Sequence, residues 1–236
     1  MVTANGAAKD LPDDLELRAA RHRALGDPLR LAIVDALVLG DLTPSEVEAR
    51  FDVPSNLLAH HLGILEDAGL VHRSRSQGDG RRRYLSLERR APGLLGPHKP
   101  PLRAERVVFV CTRNSARSPL ASALWRQLRP DIPATSAGTH PAEAVHPLAT
   151  EAGRRAGLAI EHRPQALQGF TRDGDLVITV CDQAHEESPG TLHWSIPDPV
   201  REARPEAFAR TVDQLRDRIE QLAEHTQPAD YQARTS

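Results

Sequence analysis

Val107-Val108-Phe109-Val110-Cys111-Thr112-Arg113-Asn114-Ser115-Ala116-Arg117-Ser118-Pro119 is the stretch whose reading decides the fold of the second half of the chain. Its apolar, β-branched opening predicts a buried strand, and Ser118-Pro119 followed by Leu120, Leu124 and Leu128 at four-residue spacing predicts a helix. Between the two lies a tight loop. Backbone N–H groups at a strand-to-helix turn have no intrahelical partner and converge, so Thr112, Arg113, Asn114, Ser115 and Ala116 are candidates for cradling an oxyanion. Arg117 would add a planar, always-charged fork to the same anion. Cys111, at the strand end, would sit beneath it, where the helix terminus, Arg117 and the Ser118 hydroxyl favour thiolate over thiol. The pattern predicts a sulfur nucleophile aimed at a tetrahedral oxyanion.

Outward from this loop, strands alternate with helices. Strands are predicted at 134–138, 175–180 and 191–194, with a helix over 147–156 between the first two. A long closing helix is marked by Phe208, Val212, Leu215, Ile219 and Leu222 at 4-3-4-3 spacing. Such alternation predicts an α/β domain with a small four-stranded parallel sheet and its site at the strand carboxyl ends. Three segments carry a resemblance to a known fold: residues 110–119, Ser136-Ala137-Gly138-Thr139, and Pro197-Asp198-Pro199. Over roughly residues 105–225 the chain resembles the low-molecular-weight tyrosine phosphatases and the class of arsenate reductases that shares their fold. The resemblance implies that Cys111 is the nucleophile, Arg117 the oxyanion clamp, Ser118 a hydrogen-bond partner of the thiolate, Asn114 a loop-shaping residue and Asp198 the general acid. A plainer reading of Asp198 is a turn before a helix.

The oxyanion is predicted to be small and inorganic. Phosphatases of this fold wall the pocket with aromatics after the Asp-Pro and near the Ser-Ala-Gly, where this chain has Val200-Arg201 and Thr139-His140-Pro141. Val145-His146-Pro147-Leu148-Ala149 and the strand ending in Cys181 also resemble the arsenate reductase branch. Arsenate reduction needs thiol electrons beyond the first attack. Cys181 stands where thioredoxin-coupled relatives carry their second cysteine, but the third, expected seven residues later, is Ser188. The electrons would then come through a Cys111–Cys181 disulfide resolved by an external reductant, or from mycothiol, glutathione or a redoxin acting on the adduct. Cys181 also reads as an inert buried residue at a strand end. No bound cofactor is expected.

The first half of the chain reads differently. Helices are predicted from residue 13 to Arg23, from Asp27-Pro28 to about Gly40, from the capping signal Thr43-Pro44-Ser45-Glu46 to about Arg50, and from Ser55 to Gly69 along Leu58, Leu62 and Leu65. A hairpin follows, with Gln77-Gly78-Asp79-Gly80 as its turn and Arg81-Arg82-Arg83 beside it. This is the plan of a winged helix-turn-helix. The stretches 25–33 and 54–71 resemble the arsenic-repressor (ArsR) family, over about residues 14–88. The resemblance implies that Ser55, Asn56, Ala59 and His60 face the major groove of double-stranded DNA and that Arg81, Arg82 and Arg83 grip its backbone or minor groove. His60 and His61, adjacent on a helix, do not face one way and do not read as metal ligands. Residues 41–50 hold none of the thiols of the family's cysteine-based sensors, and a Pro/Gly-rich stretch stands where its dimerising helix would be, so a homodimer would need other surfaces.

The expected organisation is a tail at 1–12, a DNA-binding module at 13–89, a linker at 90–104, the catalytic module at 105–226 and a tail at 227–236. Of the 236 residues, 39% are hydrophobic and 26% charged, as in an ordinary globular chain; with 3% aromatics, the cores are expected to be aliphatic. Two cysteines exclude a disulfide framework, and no apolar run approaches the roughly 20 residues of a membrane span, so a cytoplasmic protein is expected. The function read from all this is a thiol-dependent arsenate reductase fused to a transcriptional regulator domain. An aryl or tyrosine phosphatase is the enzymatic alternative, and a non-catalytic, oxyanion- or arsenic-responsive repressor is the alternative of another class.

Overall fold

A computed structural model describes residues 15–88, 101–160 and 163–230. The expected tail at 1–12, residues 231–236 of the expected tail at 227–236, and residues 90–100 of the expected linker lie outside them.

Four helices and a hairpin make the first module. Helix α1 (Leu15–Leu25) precedes α2 (Pro28–Leu37), where the Asp27 carboxylate accepts the Arg30 N–H and Pro28 takes the first helical position. Helix α3 (Pro44–Phe51) opens on a capping box formed by Thr43 and Glu46, which satisfies two otherwise orphaned N–H groups. Helix α4 (Ser55–Asp67) buries Leu58, Leu62 and Leu65 against Ile33, Val34, Leu37 and Val47. Strands β1 (Val71–Arg75) and β2 (Arg83–Leu87) pair antiparallel, from Val71 opposite Leu87 to Arg75 opposite Arg83. The predicted winged arrangement is present.

In the second module β3 (Leu102–Ala104) leads into β4 (Arg106–Cys111), α5 (Arg117–Leu128), β5 (Ala134–Gly138), α6 (Pro147–Arg155), β6 (Asp175–Thr179), α7 (Asp182–Glu187) and β7 (Leu192–His193). Helices α8 (Pro199–Glu202) and α9 (Pro205–Glu224) and strand β8 (Thr226–Pro228) complete it. The main sheet is four-stranded and wholly parallel, in the order β5-β4-β6-β7. The central strand β4 is covered on both faces, which is why 107–110 is apolar without alternation; all four residues are fully buried. Helix α9 packs along α5 and α6 through the stripe seen in the sequence.

Two expectations are corrected. Residues 102–104, assigned to the linker, pair in parallel with 226–228 at the edge of the expected tail, so the module begins and ends in strands that hold each other. The cores are not purely aliphatic either. Phe109, Trp125, Trp194, Phe208 and Tyr84 are all fully buried: a low aromatic count says nothing about where the aromatics sit.

The two modules share an interface built around Asp41. Its fully buried carboxylate receives the Ser195 N–H at 2.7 Å and the Arg218 guanidinium at 2.6 Å, while the Asp41 N–H donates to the His193 carbonyl at 2.7 Å. Trp194 donates its indole N–H to the Leu39 carbonyl at 2.8 Å, and the Tyr84 ring lies 4.5 Å from that of His193. A buried ion pair that loses one partner strands the other charge. Asp41→Ala should therefore lower unfolding free energy by about 3 kcal/mol or more, read from urea denaturation of the full chain.

Candidate active site

The loop after β4 is held from outside and from below. Its carbonyls at Cys111, Thr112, Arg113 and Ser115 accept N–H groups from Thr139, His140, Ala142 and His146, at 2.8 to 3.2 Å. A trans peptide points its N–H opposite its carbonyl, so the same tethers turn the Arg113 and Ala116 N–H groups toward the other side of the loop. Asn114 takes a left-handed conformation, φ 48°, which asparagine tolerates better than most residues. Its fully buried amide donates to Ser118 Oγ and Ser136 Oγ, both at 2.9 Å, and its oxygen accepts the Gln165 N–H at 2.9 Å. Gly138 lies so close beneath that a Cβ there would fall 2.8 Å from the Thr112 carbonyl oxygen. The Ser136-Ala137-Gly138 segment thus supports the loop.

Cys111 Sγ lies 3.1 Å from Ser118 Oγ. Asn114 donates to that oxygen, so the Ser118 proton lies between two acceptors, the Cys111 sulfur and the Ala137 carbonyl at 3.5 Å. Arg117, 8% exposed, donates through Nη1 to the Ile196 carbonyl at 2.9 Å and faces Asp198 Oδ2 at 3.1 Å through Nη2. Burial opposes its charge, but Cys181, Cys111, Asp198 and Asp182 outweigh that penalty and hold its pKa above the ordinary arginine value.

Cys181 is not free. Its sulfur lies 3.2 Å from both the N–H and the hydroxyl of Thr112, and caps α7 by accepting the Ala184 N–H at 3.4 Å. Burial pushes its thiol pKa up, and the neighbouring Cys111 adds to this against the pull of Arg117. Asp198 uses its two oxygens differently. Its Oδ1 caps α8 through the Val200 N–H at 3.1 Å, while its Oδ2 faces Arg117.

Above the loop is a pocket of about 330 Å³ lined by Gln77, Thr112, Arg113, Arg117, His140, Cys181, Asp182, Gln183, Asp198 and Arg201. Of the predicted anion-binding residues, Thr112, Arg113 and Arg117 line it; Asn114, Ser115 and Ala116 complete the loop, and Cys111 lies beneath, 2% exposed. His140 and Arg201 come from the two segments expected to wall the pocket, whereas nothing in the spacing of Asp182 and Gln183 ties them to the loop. Gln77 could not have been found that way: it belongs to the wing of the other module. Among the described residues no group of three or more His, Cys, Asp and Glu could hold a metal ion.

The predicted DNA-contacting residues form a separate set. Ser55, Asn56, Ala59 and His60 are exposed on the first turns of α4, and Arg81, Arg82 and Arg83 are exposed on the hairpin. His61 is instead largely covered, 3.6 Å from the Asp27 carboxylate.

Residues 106–231 match the family model of the low molecular weight phosphotyrosine protein phosphatases, and residues 25–74 match a helix-turn-helix domain. An arsenate reductase of Staphylococcus epidermidis is 30% identical over 122 residues, 48% of this chain and 92% of that protein. One from Bacillus licheniformis is 32% identical over 133 residues, 50% of this chain and 94% of its own. The crystal structure of an arsenate reductase from Archaeoglobus fulgidus aligns with a TM-score of 0.44 at 28% identity, over 50% of this chain and 98% of that one. The chain belongs to the low molecular weight phosphotyrosine protein phosphatase family, with a helix-turn-helix domain on its amino-terminal side.

Proposed function

We propose that the chain is a thiol-dependent arsenate reductase joined to an ArsR-type, DNA-binding regulator domain, working in the cytoplasm. The observation that carries the reading is a small pocket over Cys111 and Arg117 whose walls, among the described residues, include no Phe, Tyr or Trp to hold an aryl ring. The arsenate reductases among its relatives support the same substrate.

In this reading arsenate enters the loop with its oxygens on the backbone N–H groups and Arg117, taking the place of Asp198 as counter-charge. Cys111 sulfur attacks arsenic, the arsenic–oxygen bond opposite breaks, and Asp198 gives its proton to the departing oxygen, which leaves as water. A second thiol then attacks Cys111 sulfur. The sulfur–arsenic electron pair passes to arsenic, which leaves as arsenite, and the two sulfurs are oxidised to a disulfide. Mycothiol, glutathione or a redoxin is the source of that thiol and reduces the disulfide. Cys181 suits this role less, because its sulfur is engaged by Thr112 and Ala184 and its thiol pKa is raised. Double-stranded DNA would be met by Ser55, Asn56, Ala59 and His60. Arg81, Arg82 and Arg83 would supply phosphate contacts.

Steady-state assays with arsenate and aryl phosphate side by side, each thiol system offered in turn, decide the substrate. Arsenate-dependent NADPH oxidation is expected, and Cys111→Ser should abolish it; turnover that survives the substitution refutes the mechanism. Hydrolysis of a phosphotyrosine peptide without arsenate reduction would instead make the protein a phosphatase, and ligand-responsive DNA binding without turnover would make it a sensor. Cys181→Ser, which keeps a capping atom, should change kcat with the external thiol by less than about tenfold. A greater loss would put Cys181 in the relay. Replacing Arg81, Arg82 and Arg83 together by alanine should weaken binding to duplex DNA and reduce the slope of log K against log salt by about 2 to 3, as measured by fluorescence anisotropy.

A further inference from the structure

The turn of the wing folds onto the catalytic module instead of projecting into solvent. Ser76 Oγ donates to Glu186 at 2.6 Å, the Gln77 N–H to Asp182 at 2.6 Å and the Asp79 N–H to Glu186 at 2.5 Å. Burial opposes the charge on Asp182, yet His193 and the Gln77 N–H hold its pKa below the ordinary aspartate value, so the wing meets a carboxylate. Gly78 makes the approach sterically possible: a Cβ there would fall 2.8 Å from Gln183 Cα and 2.9 Å from its nitrogen.

Gln77 is the residue this docking delivers to the pocket. Its side-chain oxygen accepts the Asp198 N–H at 2.8 Å, and its own carbonyl accepts the Arg201 guanidinium at 2.8 Å. With its N–H on Asp182, the residue spans the gap between α7 and the turn that opens α8. It lines the same pocket as Thr112, Arg117 and Asp198.

We propose that Gln77 is a specificity-determining and positioning residue of the catalytic pocket: it fixes the Asp198 turn and closes the rim through which an ester substituent would emerge, so a bare tetrahedral oxyanion fits and an aryl phosphate does not. The inference rests on the pocket being the oxyanion site proposed above. The amide suits the task. It accepts a backbone N–H without adding a negative charge beside an incoming anion, and it bridges the two walls from a separate module. The DNA-binding domain thereby supplies part of the enzyme's substrate selection.

The test uses full-length Gln77→Ala, Gln77→Met and Gly78→Ala, with para-nitrophenyl phosphate hydrolysis, arsenate reduction and inhibition by orthovanadate as readouts. Gln77→Ala opens the rim and should raise kcat/KM for the aryl phosphate by about tenfold or more, while orthovanadate still inhibits. Gln77→Met fills the space but cannot accept the Asp198 N–H; it should leave the aryl phosphate excluded and lower kcat for arsenate at little-changed KM, with a shifted pH profile. Gly78→Ala, which pushes the wing off α7, should reproduce the gain of Gln77→Ala. If folded Gln77→Ala and Gly78→Ala both retain the wild-type aryl phosphate activity, the proposal is overturned. The aryl phosphate and orthovanadate arms need no arsenate turnover, so failure of the gate and failure of the reductase reading are told apart.

Discussion

The charge of Arg117 is the constraint around which the site is arranged. A guanidinium only 8% exposed has lost most of its hydration and must be met by fixed partners. The partners in contact are the Ile196 carbonyl and the Asp198 carboxylate, and the sulfurs of Cys111 and Cys181 add to the field when ionised. Cys111 ends β4, Cys181 follows β6, and Ile196 and Asp198 follow β7. A parallel sheet brings these carboxyl ends to one edge, so the topology itself delivers the compensation. In the proposed reaction an entering oxyanion replaces Asp198 as the counter-charge, which frees that carboxyl for proton transfer.

The loop after β4 is held in shape by groups found outside it. Asn114 satisfies two hydroxyls and one backbone N–H from a single buried side chain, and the segment 139–146 takes up the loop's carbonyls. The Asn114 bonds converge from β5, α5 and the connection after α6. Preorganised donors of this kind need no reorientation when charge develops on the bound oxygens.

The two modules are joined by more than a covalent connection. Asp41 places a carboxylate of the helix-turn-helix module among Ser195 and Arg218, and the wing turn gives its N–H groups to Asp182 and Glu186. The arginines next to that turn, Arg81, Arg82 and Arg83, stay exposed. The hairpin therefore presents one side to the enzyme and another to solvent. Docking on the catalytic module leaves its basic side uncovered.

Several features were legible in the residues alone because their causes are local. The strand-loop-helix at 107–119, the caps at Asp27 and Thr43, the alternation behind the four-stranded sheet and the stripe of α9 all follow from spacing and backbone chemistry within a few residues. What escaped is what depends on distant partners. Strands β3 and β8 are three residues each, too short to show a period, and pair across nearly the whole catalytic module. Asp41 reads as a loop carboxylate until Arg218 meets it. Gln77 reads as a hairpin turn residue until Asp198 and Asp182 bind it. By itself the sequence determined the two modules and the strand-loop-helix around Cys111. Only the tertiary structure decided that the wing of one module lines the pocket of the other, because a hydrogen bond between residues more than a hundred positions apart leaves no periodicity, cap or composition for a linear reading to detect.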